Sequence, residues 1–365
     1  SGNIAANTAY YVADNSAETL VLKNIFEATY TLVDQAGNEF NGSFTYEGNN
    51  QPTVTGAYGA TITDAEMDFT NRHYTATINF AYPMSKVGGA TNETLLAING
   101  KYIRAVGNNV KVQATNIAAV DADCLWAIYP TFSEGAFTFA IMNVATGKYM
   151  HTGATSAAHN TEGTIVLDDE ATMFTIADNN EFKTGNNLYL SINSPANDTN
   201  VFLGLWGNAH NGTDIIDSAL SAYNVEVTAA KYATFYAPVA VTVPEGVTAH
   251  TVTINGEWAT LSEALDVIPA YTGVVLYSET PATYTFNVTN EQIAPIEENA
   301  LTGTVAATYV TADAYVLSFK DGEAGFYTAT TEGQVEGTFL NNHHKAYLPK
   351  ATGMTAASYS FRFEG

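Results

Sequence analysis

Apolar and polar positions alternate along this chain with a period of two. Tyr74, Ala76, Ile78, Phe80 and Tyr82 interleave with Thr75, Thr77, Asn79 and Ala81. Val239, Val241 and Val243 repeat the pattern, and near the end Tyr359, Phe361 and Phe363 interleave with Ser360, Arg362 and Glu364. Such alternation predicts antiparallel strands with one face buried and one in water. Turn chemistry punctuates them at Gly37-Asn38, Asn49-Asn50, Asn108-Asn109, Asn186-Asn187 and Asp321-Gly322, and Pro244-Glu245-Gly246 fits a tight turn with Pro second. Only the stretch from Trp258 to Val267 has passable helical spacing, and it reads equally well as strand. The expected class is all-β.

Two joints divide the pattern. One is the small, polar, glycine-bearing run Lys86-Val87-Gly88-Gly89-Ala90-Thr91-Asn92, and the other spans Thr228 to Lys231. Residues 1–90 and 229–365 then carry short strands at the spacing of β-sandwiches. The segment between repeats. Gly100-Lys101-Tyr102-Ile103 returns as Gly147-Lys148-Tyr149-Met150 and, more loosely, as Asn187-Leu188-Tyr189-Leu190. A second phrase follows each: Leu125-Trp126-Ala127-Ile128, Met173-Phe174-Thr175-Ile176 and Tyr223-Asn224-Val225-Glu226-Val227. Tyr102 and Tyr149 stand 47 residues apart, Tyr149 and Tyr189 40. Three all-β units of this length can bury one shared core that none could bury alone.

On those phrases residues 94–228 resemble a β-trefoil of the ricin-type lectin-like kind. The resemblance implies a sandwich–trefoil–sandwich tandem with a sugar-binding middle. One departure is visible: sugar-binding members often carry Gln-x-Trp where this chain has Leu125-Trp126-Ala127 and Met173-Phe174-Thr175. Tyr232-Ala233-Thr234-Phe235-Tyr236-Ala237-Pro238, Val243-Pro244-Glu245-Gly246-Val247, Ile268-Pro269-Ala270-Tyr271-Thr272-Gly273-Val274-Val275-Leu276 and Lys345-Ala346-Tyr347-Leu348-Pro349 resemble a C-terminal module of secreted Bacteroidetes surface proteins. That likeness implies an extracellular or outer-membrane-surface location in a Gram-negative bacterium. The opening Ser1-Gly2 carries no signal-peptide pattern, so an export signal is expected to have been removed.

Composition narrows the partners. With 37 Asp and Glu against 13 Lys and Arg, the net charge of −24 repels phosphate backbones and anionic lipid, which argues against nucleic acid. No apolar run approaches the 18 residues that a membrane helix needs. The single cysteine, Cys124, sits beside Leu125 and Trp126 and is expected to be a buried thiol. Enzyme signatures are missing: no Gly-x-Ser-x-Gly, His-Glu-x-x-His or Cys-x-x-Cys, and both Gly-Lys pairs continue with Tyr where a P-loop needs Ser or Thr. No cofactor is expected.

The strongest ligand candidate is Trp206-Gly207-Asn208-Ala209-His210-Asn211-Gly212-Thr213-Asp214, in the longer third repeat. A sugar offers apolar C–H faces fringed by hydroxyls, which Trp206 with Asn208, His210 and Asp214 would match. The competing reading makes Trp206 core, behind Phe202, Leu203 and Leu205. Tyr149 with His151 is the equivalent place in the second repeat, against barrel core for Tyr149 and an ordinary surface role for His151. His343-His344 reads as a solvated loop, since adjacent strand residues face opposite ways and make a poor metal site. Asp64, Glu66 and Asp68, and the pair Asp121 and Asp123, read as solvated acids, Trp258 as sandwich packing. The expectation is a secreted, non-catalytic carbohydrate-binding protein whose partner is a glycan. The alternatives are an adhesive or structural surface protein with a protein partner, or an accessory region of a glycoside hydrolase.

Overall fold

A computed structural model describes residues 9–14, 21–98, 101–113, 122–159, 161–192, 200–208, 213–217, 222–291, 293–294, 296, 298–320, 322–331, 336–352 and 354–364. Its described residues are all β, apart from two single 3-10 turns at Ala122–Cys124 and Asp178–Asn180. No helix among them is long and apolar enough to cross a membrane. The stretch from Trp258 is strand (Trp258–Leu261), not helix.

Among its described residues the first region forms one five-stranded sheet, where a sandwich was expected. Strand Val21–Val33 lies at its centre, pairing with Glu39–Glu47 along one edge and with Ala9–Asp14 and then His73–Asn79 along the other. The pairing with His73–Asn79 is parallel, as is that of Trp258–Leu261 with Ser358–Phe363, two exceptions to the antiparallel expectation. A lone small sheet has no second layer to bury its apolar face, so it takes one from its neighbour. Tyr30, Leu32, Phe40, Ile78 and Phe80 share a single core with Phe137, Phe139 and Ile176 of the middle region. Phe137 is edge-on to Phe40 at 4.9 Å and to Phe80 at 5.1 Å.

The middle region repeats in space as in sequence. Strand Thr94–Ile98 is followed by the hairpin Lys101–Val106/Asn109–Gln113 and by Leu125–Ser133. Ala136–Asn143 is followed by the hairpin Tyr149–His151/Val166–Asp168 and by Phe174–Ala177. Glu181–Thr184 is followed by Tyr189–Ser191 paired with Gly204–Trp206, and by Thr213–Asp217. The outer strands of the three units join one to the next, and Thr213–Asp217 returns to the edge of Thr94–Ile98. Trp126, fully buried, donates its indole N–H to the Ile103 carbonyl at 2.9 Å, tying a closing strand to its own hairpin.

Tyr223–Val227, expected to close the third unit, pairs along its whole length with Ala282–Asn287 of the C-terminal region, where Tyr223, Val225 and Val227 enter the core of Phe235 and Phe286. Its alternation suits any half-buried strand; Thr213–Asp217 carries the closing role instead. In the C-terminal region the strand Val274–Tyr277 sends Val274 and Leu276 to one core and Val275 to another. An unbroken apolar run is what a strand covered on both faces requires.

A tyrosine-lined hollow as the candidate functional site

The turn Val305–Ala307 of the C-terminal region presses into the second repeat of the middle region. Ala307 donates its N–H to the Val144 carbonyl at 3.0 Å, and Val305 and Ala306 join a core with Leu125, Ala127 and Met142. Gly147, the first residue of the second Gly-Lys-Tyr phrase, makes this approach possible. It has a φ of 67°, and a Cβ built there would stand 1.8 Å from the Ala307 carbonyl oxygen.

Beside this contact lies a hollow of about 900 Å³, walled by the first joint, the middle region and the C-terminal region. Its aromatic lining is Tyr129 and Tyr149 from the middle and Tyr236 and Tyr271 from the C-terminal region. Each pair meets edge to face, at 6.5 Å and 6.3 Å between ring centroids. Gly303 lets the Tyr236 ring lie against backbone, since a Cβ there would fall 2.4 Å from the ring. Thr91, Thr131, Thr304 and Thr308 add hydroxyls, and Thr91 bonds the Tyr129 hydroxyl at 3.1 Å. Lys86 also lines it, and none of the described lining residues is Asp or Glu. Burial raises the pKa of the Tyr129, Tyr236 and Tyr271 hydroxyls, with the charge of Glu93 adding to the effect at Tyr271. These phenols therefore stay neutral, each able to donate and to accept.

The residues expected to bind ligand scatter. Tyr149 is half-buried and lines the hollow. His151, two positions along the same strand, is also half-buried but outside the lining; its backbone pairs with Val166. Trp206 is half-buried on its strand opposite Tyr189, and the His159 ring stands perpendicular to its indole at 3.9 Å between centroids. Asn208 is exposed nearby. The backbone of Asp214 pairs with Ala97, whereas His210 and Asp121 lie outside the described residues.

His343 and His344 are not a solvated loop. His344 is buried in a turn with φ of 53°, and the His343 Nδ1 lies 3.3 Å from the Ala145 carbonyl oxygen of the middle region. Trp258 is 44% exposed instead of packed inside. Cys124 is buried, as its neighbours predict. Among the described residues no three His, Cys, Asp or Glu side chains converge as a metal site would need. Sequence reasoning missed Tyr129, Tyr236 and Tyr271 because they stand far apart in the chain. Tyr236 and Tyr271 do fall within the phrases that mark the C-terminal region.

No protein-family model and no curated protein sequence matches this chain. Among solved structures, a lectin of Polyporus squamosus, crystallised with a Neu5Acα2-6Galβ1-4GlcNAc epitope, aligns at 16% identity with a TM-score of 0.27. The alignment covers 37% of this chain and about half (51%) of the lectin chain. A likeness that slight transfers neither fold nor ligand.

Proposed function

We propose that this protein binds carbohydrate without transforming it, and that the tyrosine-lined hollow is the binding site. One observation carries the reading: four tyrosines from two regions converge on one concave space fringed by threonine hydroxyls. Sugar rings pair apolar C–H faces with hydroxyls, so they call for aromatic surface and neutral donors and acceptors together. A hollow of this size suits a ligand of a few sugar rings. None of the described residues of the lining carries a carboxylate, whereas glycoside hydrolysis uses a pair of them. The three strand–hairpin–strand units are read as a β-trefoil, the scaffold that presents Tyr129 and Tyr149. A secreted or surface-exposed location is proposed with it, from the resemblance of the phrases between Tyr232 and Pro349 to a module of secreted surface proteins.

The test is a glycan array with the whole chain, Tyr149→Ala, Tyr236→Ala and Trp206→Ala in parallel. Binding should weaken about tenfold or more in both tyrosine variants, the scale of a lost central aromatic contact, and persist in Trp206→Ala. Loss in Trp206→Ala alone would move the site to the third repeat. Absence of binding to any glycan would end the carbohydrate reading.

A further inference from the structure

The strand Glu39–Glu47 is an open edge of the first sheet. It pairs with Val21–Val33 and with no other strand among the described residues. In an antiparallel pair the residues alternate, one turning its N–H and C=O to the partner and the next turning both away. Thr29 settles which is which, because its N–H goes to the Arg72 carbonyl at 3.0 Å, on the far side of Val21–Val33. Thr29 and its partner Ser43 therefore form a non-bonded pair, and Asn41, Ser43 and Thr45 turn their backbone groups outward.

One end of this edge is taken by a side chain that imitates a strand. Asn50 Nδ2 donates to the Thr45 carbonyl at 2.9 Å, and Asn50 Oδ1 accepts the Glu47 N–H at 2.6 Å. Before that cap, the backbone N–H and C=O of Asn41 and of Ser43 bond nothing among the described residues. Both residues line a second hollow, of about 560 Å³. Gln51 and Thr53 also line it, as do Glu134 and Gly135 at the tip of the hairpin Leu125–Ser133/Ala136–Asn143. Tyr30 lies in the same lining against Gly42, where a Cβ would fall 2.3 Å from the phenol oxygen. Glu134 is the one charged residue of the described lining. It has a φ of 52° beside Gly135 at 78°, in a two-residue turn that favours Asn-Gly or Asp-Gly. A longer acid is thus held in a backbone conformation it does not prefer.

We propose that this edge takes an extended, basic peptide segment as an added strand. The activity is separate from the tyrosine-lined hollow and does not rest on it. Three observations select the occupant. The open groups are backbone donors and acceptors in the alternation of a sheet ladder, which the main chain of a peptide complements residue by residue. Glu134 in the hollow, with Glu39 and Glu47 at the strand ends and no Lys or Arg between them, favours Lys or Arg on the incoming segment. A second copy of this chain would lay the strand antiparallel to itself, acid against acid, at a net charge of −24. Sheet edges are commonly blunted by Lys, Pro or a bulge. The register from Glu39 to Glu47 runs unbroken and carries none of these.

Amide exchange of the full chain, read residue by residue, tests the proposal. In the free protein the Gly42 and Phe44 amides should be protected and those of Asn41 and Ser43 open. A capped peptide of alternating Thr and Lys, about eight residues long, should raise protection at Asn41 and Ser43 about tenfold or more. The same peptide with its amides N-methylated lacks the donors and should raise none. Ser43→Pro removes one outward N–H and spares the ladder to Val21–Val33, the place where an edge strand tolerates proline. It should weaken binding about tenfold. Glu134→Gln leaves the strand untouched, so it tests the site even where Ser43→Pro does not fold; at low salt it should weaken binding about threefold. Equal protection at Asn41 through Phe44 in the free protein overturns the proposal. So does the absence of any gain at millimolar peptide, undiminished binding by the N-methylated peptide, or undiminished binding by a folded Ser43→Pro or by Glu134→Gln. Protection raised by a glycan and not by the peptide assigns the second hollow to sugar and overturns it as well.

Discussion

The surface around Trp206 and the hollow around Tyr149 are two answers to one recognition problem. The first is compact in sequence, with an aromatic ring and several polar side chains inside nine residues. In the fold its indole is half-buried and met by His159. The second is dispersed, its four tyrosines spread from Tyr129 to Tyr271, yet they line one space. A local cluster of suitable side chains says little about which faces remain free once neighbours have packed. Concavity arises where separate regions meet, and concavity lets several groups act on one ligand.

Substitutions can break this contrast in order of expected effect. Gly147→Val should be the most damaging, since it combines a β-branched residue at φ of 67° with a collision against the Ala307 backbone. A loss of about 3 kcal/mol or more is expected, read as a lowered denaturant midpoint, together with loss of any ligand binding. Unchanged stability would mean that the two regions do not meet as described. Next, Gly303→Ala should force the Tyr236 side chain from its place, weakening glycan binding about tenfold and lowering the unfolding temperature; titration calorimetry reads the first and scanning calorimetry the second.

Alkaline titration followed by tyrosinate absorbance sharpens the picture at the other junction. Burial, helped slightly by Tyr58, pushes Tyr82 up to about 12, and its hydroxyl bonds the Asn180 side chain at 3.0 Å. A folded-state pKa above the unfolded value of about 10 contributes stability that is complete below the lower value and is lost as pH rises through the higher one. Unfolding free energy should therefore decline between about pH 10 and about 12, and Tyr82→Phe should make that decline shallower. The smallest effect belongs to Trp206→Phe, expected to change glycan affinity by less than about 0.5 kcal/mol. A larger loss would restore the third repeat as the site.

Some of this molecule was legible before any coordinates. The period-two runs predicted His73–Asn79 and Ser358–Phe363 as strands, and the phrases at Tyr102, Tyr149 and Tyr189 marked three related hairpin positions. Burial along Ser358–Phe363 fades from Tyr359 to an exposed Phe363, which alternation alone does not show. The candidate site was less legible: Tyr149 was named, but its partners across the hollow were not.

What the chain determined by itself is local. Alternating side chains settle which face of a strand is buried, because the backbone presents successive residues to opposite sides. Turn residues and repeated phrases mark where units begin. Tertiary structure alone decided what each face is buried against: the first sheet against Phe137 and Phe139, the strand Tyr223–Val227 against the C-terminal core, His344 against Glu93. Burial is non-directional and satisfied by any apolar partner of fitting shape, so sequence pattern specifies that a face is covered without specifying by what.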